Sequence, residues 1–388
     1  MKCLFTVVLL SSAIVAVSCS KGEQERKVID PDAPEWFADE NLPVPIEFGI
    51  GSVTTTAAAT RVDYSIEPEG LFTTDWFRYG VLAMDQNGDK HISVTGVEAR
   101  NVPTNMFVDG VDGKYKAEFV DGDDNPITHY YPVLSDRNYT FYAYHTKNSG
   151  RYQASDLGDG VSLSGIEIGR CDVLWARCAA TTIGSGVGAV EGFNAKYIRH
   201  IADANNFYLS SDSAPRFNFS HKTSRFIFFI KAENAYAEST MTEALVSITG
   251  IKIKGVNLTA SMDVTTGVLT GTGSKEGEIT VNRDEETIFQ PVAAGAAWGD
   301  PLFVLPSSVE NAQSDDGIEM TMSIRSMSGG EYENTEYKQI LKFGGSATAF
   351  EAGRSYTFTI TIKSYEKIEI TTSVENWNEE AGDDFVIG

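Results

Sequence analysis

The chain has 388 residues, enough for two domains of ordinary size with a substantial core in each. Lys and Arg number 31 against 54 Asp and Glu, a formal net charge of −23, so the long-range field repels phosphate backbones and anionic lipid and argues against nucleic acid as a partner. With 35 Gly, 21 Phe and 16 Tyr, the composition suits a turn-rich extracellular β-protein that buries aromatics on pleated surfaces.

Residues 1–18 have the form of a signal peptide. Lys2 supplies a positive n-region, Cys3 to Val17 an apolar h-region, and Ala16-Val17-Ser18-Cys19 looks like a bacterial lipobox ending in the cysteine to be acylated. The apolar run is too short for a good membrane-spanning helix. A lipobox cysteine carries a diacylglyceryl group and usually an N-acyl chain, and stable anchoring requires more than one chain. Simple cleavage near Ser18, with Cys19 left free, is the plainer alternative. Residues 19–45 read as a tether: "SKGEQERKVIDPDAPEWFADENLPVP" is polar and charged, and Pro31, Pro34, Pro43 and Pro45 stiffen it.

Beyond Pro45 a period-two pattern takes over. Ile46, Phe48 and Ile50 alternate with Glu47 and Gly49, and Tyr115, Ala117 and Phe119 with Lys114, Lys116 and Glu118. Between the first strand and the next lies "VTTTAAATRVDYSIEP", in which Arg61 follows small residues that carry no packing signal. The segment suits an accessible loop, and the bond between Arg61 and Val62 suits a protease that selects a basic residue. "YGVLAM" (residues 79–84) and "RFIFFI" (residues 225–230) are apolar without alternation, as central strands can be. Later, Ile318, Met320, Met322 and Ile324 alternate with polar residues, as do Tyr356, Phe358, Ile360 and Ile362, and then Ile368, Ile370, Thr372 and Val374. Helix is scarce; only residues 235–246 have a composition that tolerates one. The best domain boundary falls within residues 192–215, dividing the body into 46–205 and 206–388, each a plausible β-sandwich.

Once Cys3 leaves with the signal and Cys19 takes the lipid, Cys171 and Cys178 remain in "RCDVLWARCA". On one extended strand they would lie roughly 23 Å apart, beyond disulfide reach. A bridge therefore requires a turn between them, which an oxidising compartment permits; two buried thiols is the other reading.

The sequence carries no HExxH, GxSxG, GxxxxGK[ST] or CxxC, and its five histidines show no ligand spacing. No cofactor or metal is expected, and the acidic loops 85–89, 121–124, 284–286 and 315–316 read as solvated turns, since none follows the EF-hand order. Asp212-Ser213-Ala214 is similar to the short O-glycosylation signal of Bacteroidota surface proteins, which makes Ser213 a candidate acceptor. A hydrolase would need a carboxylate pair that the sequence does not display.

Four features together resemble the fimbrillin family, the subunits of Bacteroidales type V pili. They are the lipobox and tether; "PIEFGI" followed by a Thr/Ala run ending in arginine; "DVLWARCA" and then "FNFSHKTSRFIFFI"; and "FEAGRSYTFTITIKSYEKIEITTSVENW", residues 350–377. The resemblance covers residues 46–377. It implies an all-β protein of two tandem β-sandwich domains of transthyretin-like, Greek-key type, and an adhesive fimbrial subunit rather than an enzyme. It also implies export as an outer-membrane lipoprotein through Cys19, display at the cell surface, and cleavage by an Arg-specific or trypsin-like protease between Arg61 and Val62. That cut would remove the lipid and the first strand, residues 46–61, and open a groove for a strand from another fimbrial subunit. Family stalk subunits donate a C-terminal strand, whereas "NEEAGDDFVIG" at residues 378–388 is acidic and apolar only at 385–387, which leaves room for a tip, anchor or accessory role. A host or bacterial surface receptor is the remaining partner. The alternative is a monomeric surface lipoprotein that binds glycan or a host ligand through aromatics such as Trp36, Tyr130, Tyr131 and Trp298.

Overall fold

The computed structural model describes residues 39–50, 77–103, 115–133, 135–147, 151–158, 160–179, 192–204, 215–273, 275, 277–281, 289–308, 317–343, 349–364 and 367–376. The signal and Cys19, Trp36, Arg61 and Val62, Ser213, the acidic loops 284–286 and 315–316, and residues 377–388 lie outside the described residues.

The protein is built almost wholly of β-structure, as its alternating pattern predicts. The first sheet uses β1 (Gly49–Ile50), β2 (Arg78–Asp85), β3 (Lys90–Pro103), β4 (Tyr115–Val120), β5 (Pro126–Ile127) and β6 (Tyr139–His145). After β7 (Ser162–Glu167), which pairs elsewhere, it adds β8 (Leu174–Cys178), β9 (Arg216–Phe217) and β10 (Ser220–His221). The strand order is β10-β8-β6-β2-β3-β4-β1-β9, with β5 beside β4. Only Asn218 and Phe219 separate β9 from β10, so one short segment sits at both ends of that order and curls the sheet around a single aromatic core. Residues 216–221, on the C-terminal side of the expected boundary, are thus hydrogen-bonded into the first sheet. Tyr79, Val81, Phe119, Phe141, Phe217 and Phe219 fill that core. "YGVLAM" is central, between β3 and β6, which is why it lacks alternation.

A helix the pattern reading passed over, α1 (Ala195–Ala204), closes one side of this core with Tyr197 and Ile198. Asn194 caps it, its side-chain oxygen accepting the Tyr197 N–H at 2.7 Å. The signal was readable: a capping residue followed by apolar side chains three and four positions on.

The second part begins with β11 (Ser224–Ala232) and α2 (Ala235–Glu243), the helix expected from composition, capped by Asn234 through the Ala237 N–H at 2.9 Å. It continues through β12 (Ser247–Val256), β13 (Thr259–Asp263), β14 (Val268–Thr272), β15 (Gly277–Thr280), β16 (Ala296–Ala297), β17 (Leu302–Val304) and β18 (Ser307–Ser308). It ends with β19 (Glu319–Ser328), β20 (Glu331–Ile340), β21 (Ala349–Phe350), β22 (Arg354–Ser364) and β23 (Lys367–Asn376). One sheet runs β16-β11-β22-β23, with β17 also on β11, and another runs β15-β12-β19-β20. The parallel pairing of β11 and β22 aligns Phe226 with Tyr356, Phe228 with Phe358 and Ile230 with Ile360. These side chains share a core with Met320, Met322 and Ile324 of β19, the face that the alternating pattern predicts.

The two parts are tied by a fourth sheet, β14-β13-β7, in which β13 of the second part pairs with β7 of the first. Leu82, Tyr144 and Val173 pack there with Ala260, Met262 and Val264. Cys171 and Cys178 are free, buried thiols, so the open question of a bridge resolves as no bridge. Burial pushes both thiols up, Cys178 to about 12.

Candidate functional site

The strand that the sequence marks as removable lies in a groove between two others. Gly49 is opposite Lys116 of β4 in antiparallel register, and Gly49 and Ile50 lie parallel to Arg216 and Phe217 of β9. The ladder extends upstream. The Ile46 N–H donates to the His129 carbonyl at 2.8 Å, the Tyr131 N–H to the Val44 carbonyl at 2.9 Å, and the Gly49 N–H to the Pro215 carbonyl at 2.9 Å. The Ala117 N–H donates to the Phe48 carbonyl at 3.0 Å.

Alternate side chains of this segment point into the core. Val44, Ile46, Phe48 and Ile50 are all buried. Phe48 meets Phe141 edge-on at 4.7 Å and Phe119 at 6.2 Å between ring centroids. Tyr131, on the groove wall, is 1 % exposed, and burial holds its phenol well above the ordinary value. Full burial of an aliphatic or aromatic side chain is worth roughly 1.5–3 kcal/mol, so the four together contribute on the order of 10 kcal/mol, an upper value because the unfolded chain is itself partly collapsed.

The tether, expected to run to Pro45, is already held by the body at Asp39. Asp39 accepts the Asn41 N–H at 2.8 Å through its carboxylate, and Arg199 on α1 donates to the carbonyls of Asp39 and Leu42. Sequence reasoning found Ile46, Phe48 and Ile50 but missed Val44 and the partner strand β9. The extension of the alternation to Val44 was available as a signal; the pairing of β1 with β9, more than 160 residues away in sequence, was not. Cys19, Arg61, Val62 and Ser213 lie outside the described residues. Of the aromatics considered for ligand binding, Tyr131 and Trp298 are buried and Tyr130 is 46 % exposed.

Two further polar clusters have other roles. His221 on β10 holds the Asp172 carboxylate through Nδ1 at 2.6 Å, and the Thr223 hydroxyl donates to the same carboxylate at 3.0 Å. The His221 side chain has no exposed surface, so this pair clasps backbone segments and offers no access to a substrate. Glu98, 3 % exposed, accepts from Arg78, from Arg151 at 3.0 Å and from the Tyr152 N–H at 2.9 Å. Both arginines also reach Asp124, at 2.6 Å each. The acidic loops close on themselves: Asp85 accepts the N–H groups of Asn87 and Asp89, and Asp121 those of Asp123 and Asn125.

The first strand of this all-β protein is thus completed by β4 and β9, neither of which is next to it in the chain. The fimbrillin-like family matches residues 80–377, and the chain belongs to it. That family is one of structural, fimbrial and adhesive proteins of the cell surface. No curated protein matches the chain.

Similar solved structures include a candidate cell adhesion protein of Bacteroides uniformis, at 18 % identity and a TM-score of 0.49, covering 87 % of this chain and 98 % of that one. Another is a candidate cell adhesion protein of Bacteroides ovatus, at 16 % identity and a TM-score of 0.46, covering 88 % of this chain and 99 % of the other. A fimbrial protein of Bacteroides vulgatus is 12 % identical, with a TM-score of 0.40, covering 77 % and 93 %. These likenesses are loose, and membership rests on the family match alone.

Proposed function

We propose that the chain is an adhesive fimbrial subunit, anchored first through lipid on Cys19 at the outer membrane and then matured by cleavage between Arg61 and Val62 and by strand exchange. The observation that carries this reading is the seating of residues 44–50: an apolar, alternating strand completes the first sheet between β4 and β9. β2, the next strand among the described residues, is hydrogen-bonded to β3 and β6 instead. A cut among residues 51–76 therefore breaks none of the recorded pairs of β1. An Arg-specific or trypsin-like protease would convert the segment from part of the chain into a bound peptide. A donor strand from another fimbrial subunit, with apolar side chains at alternate positions, would then replace it and restore both the ladder and the buried area.

The acidic segment 378–388 is a poor donor strand, which favours a tip, anchor or accessory position over a stalk position. The division of the body into sandwich domains at 46–205 and 206–388, glycosylation of Ser213, and a host or bacterial receptor belong to the same reading. Its test is the intact mass and N-terminal residue of the protein recovered from the surface of its native host. A lipid-free chain starting at Val62 supports maturation at Arg61. A chain starting at acylated Cys19 overturns it and leaves an uncut anchor or a monomeric ligand-binding lipoprotein.

A further inference from the structure

We propose that a cleft lined mainly by the second part of the protein, and sharing no lining residue with the strand groove, binds a small organic carboxylate of sugar-acid size, with the Lys222 ammonium as its charge partner. The cleft has a volume of about 410 Å³ and is lined by Lys222, Asn257, Leu269, Lys275, Leu305 and Ser307, among others. That volume lies in the lower part of the range of small-molecule sites. Two lysines among its lining residues place positive charge at one cleft of a chain whose net charge is −23.

The position of Lys222 is built by both parts of the protein. Its N–H donates to the Val173 carbonyl at 2.7 Å, and its ammonium lies 4.4 Å from the ring centroid of Trp175 on β8. The indole is itself fixed, since its N–H donates to the Val264 carbonyl at 2.7 Å. The turn between β13 and β14 backs onto it at Gly267, where φ is +67° and a Cβ would stand 2.5 Å from the ring. Only glycine allows that approach. Burial draws the Lys222 pKa below the ordinary lysine value.

Some lysines of the fold have carboxylate partners: Lys147 with Asp156, Lys252 and Lys254 with Glu278, and Lys363 with Glu233 and Glu369. Among the described residues neither Lys222 nor Lys275 has one. A half-buried cation without a counter-ion is costly, and an incoming carboxylate removes that cost. Leu269, Leu305 and Pro306 offer apolar wall to a carbon skeleton, while Ser307 and Asn257 offer hydrogen-bonding groups. Two lysines without an arginine fork attract an anion as point charges, and the apolar wall beside them favours an anion carried on a carbon skeleton.

The inference is independent of strand exchange. Its test is titration of the uncut protein with D-glucuronate, D-glucose and sodium sulfate, followed by ligand-observed NMR and calorimetry. Saturable binding of D-glucuronate, absence of D-glucose binding, and a loss of about tenfold in affinity in Lys222→Met, with a smaller loss in Lys275→Met, are expected. Should Lys222→Met fail to fold, Leu269→Trp, which fills the cleft, is expected to abolish binding while leaving the thermal transition in place. No saturable D-glucuronate binding, or equal affinity in a folded Lys222→Met, overturns the site. Sulfate binding as tightly as D-glucuronate, or D-glucose doing so, overturns the assignment to an organic carboxylate.

Discussion

Phe48 of the N-terminal segment stacks on Phe217 of β9, with ring centroids 4.4 Å apart and planes inclined by 27°, and both rings are fully buried. The pair joins two segments that local pattern cannot connect, and it marks the middle of the groove. Phe48→Ala removes the ring and leaves a cavity against Phe119, Phe141 and Phe217. A loss of about 3–5 kcal/mol in unfolding free energy is expected, read as a lower urea midpoint with an unchanged slope. A loss below about 1 kcal/mol would mean that the groove collapses easily around the missing side chain.

Limited digestion with trypsin of the soluble protein is expected to cut between Arg61 and Val62 without releasing the strand. Residues 44–50 stay bound through the four backbone bonds given above and four buried side chains, so both fragments should co-elute in size exclusion and separate only in denaturant. Arg61→Ala should remain intact under the same conditions. Immediate loss of the N-terminal fragment on cutting would contradict the burial seen at the groove.

Stability should fall in acid through depressed carboxyls, Asp124 and Asp121 among them. Asp124 is held below the ordinary carboxylate value by its hydrogen bond from Arg78, and Asp121 by the N–H of Asn125. The folded state therefore binds fewer protons than the unfolded state near their titration, so their contribution is complete above the ordinary value of 3.8 and is lost as pH falls through the lower folded values. Thermal midpoints measured between about pH 2 and 5 should drop with decreasing pH, and Asp124→Asn should flatten part of that slope. An identical slope in Asp124→Asn would remove Asp124 from the account.

Cys171 and Cys178 should resist alkylation while the protein is folded. Both are buried and their thiols are pushed up, so little thiolate forms at pH 8 and reagents cannot reach it. Iodoacetamide treatment and peptide mapping should show both unmodified in buffer and both alkylated in guanidinium. Recovery of a disulfide-linked peptide containing both would contradict the free thiols seen here.

Much of the architecture was legible because burial on one face of a strand leaves a local trace. The alternation at residues 46–50, 318–324 and 356–362 marks the core face correctly, and the unbroken apolar runs of β2 and β11 mark central strands. The composition of residues 235–246 likewise anticipates α2. The helix α1 left a comparable trace in Asn194, Tyr197 and Ile198, and was passed over because a polar, Asn-rich stretch also reads as a boundary.

The sequence by itself determined that the chain is an all-β fimbrillin-like protein and which side chains of its first strand face inward. The tertiary structure alone decided that this strand is completed by β4 and β9, that β13 ties the two parts together through β7, and that Lys222 stands over Trp175 at a cleft. The reason is physical: period two records which side of a strand is buried, whereas partners are chosen by register and packing between segments far apart in the chain.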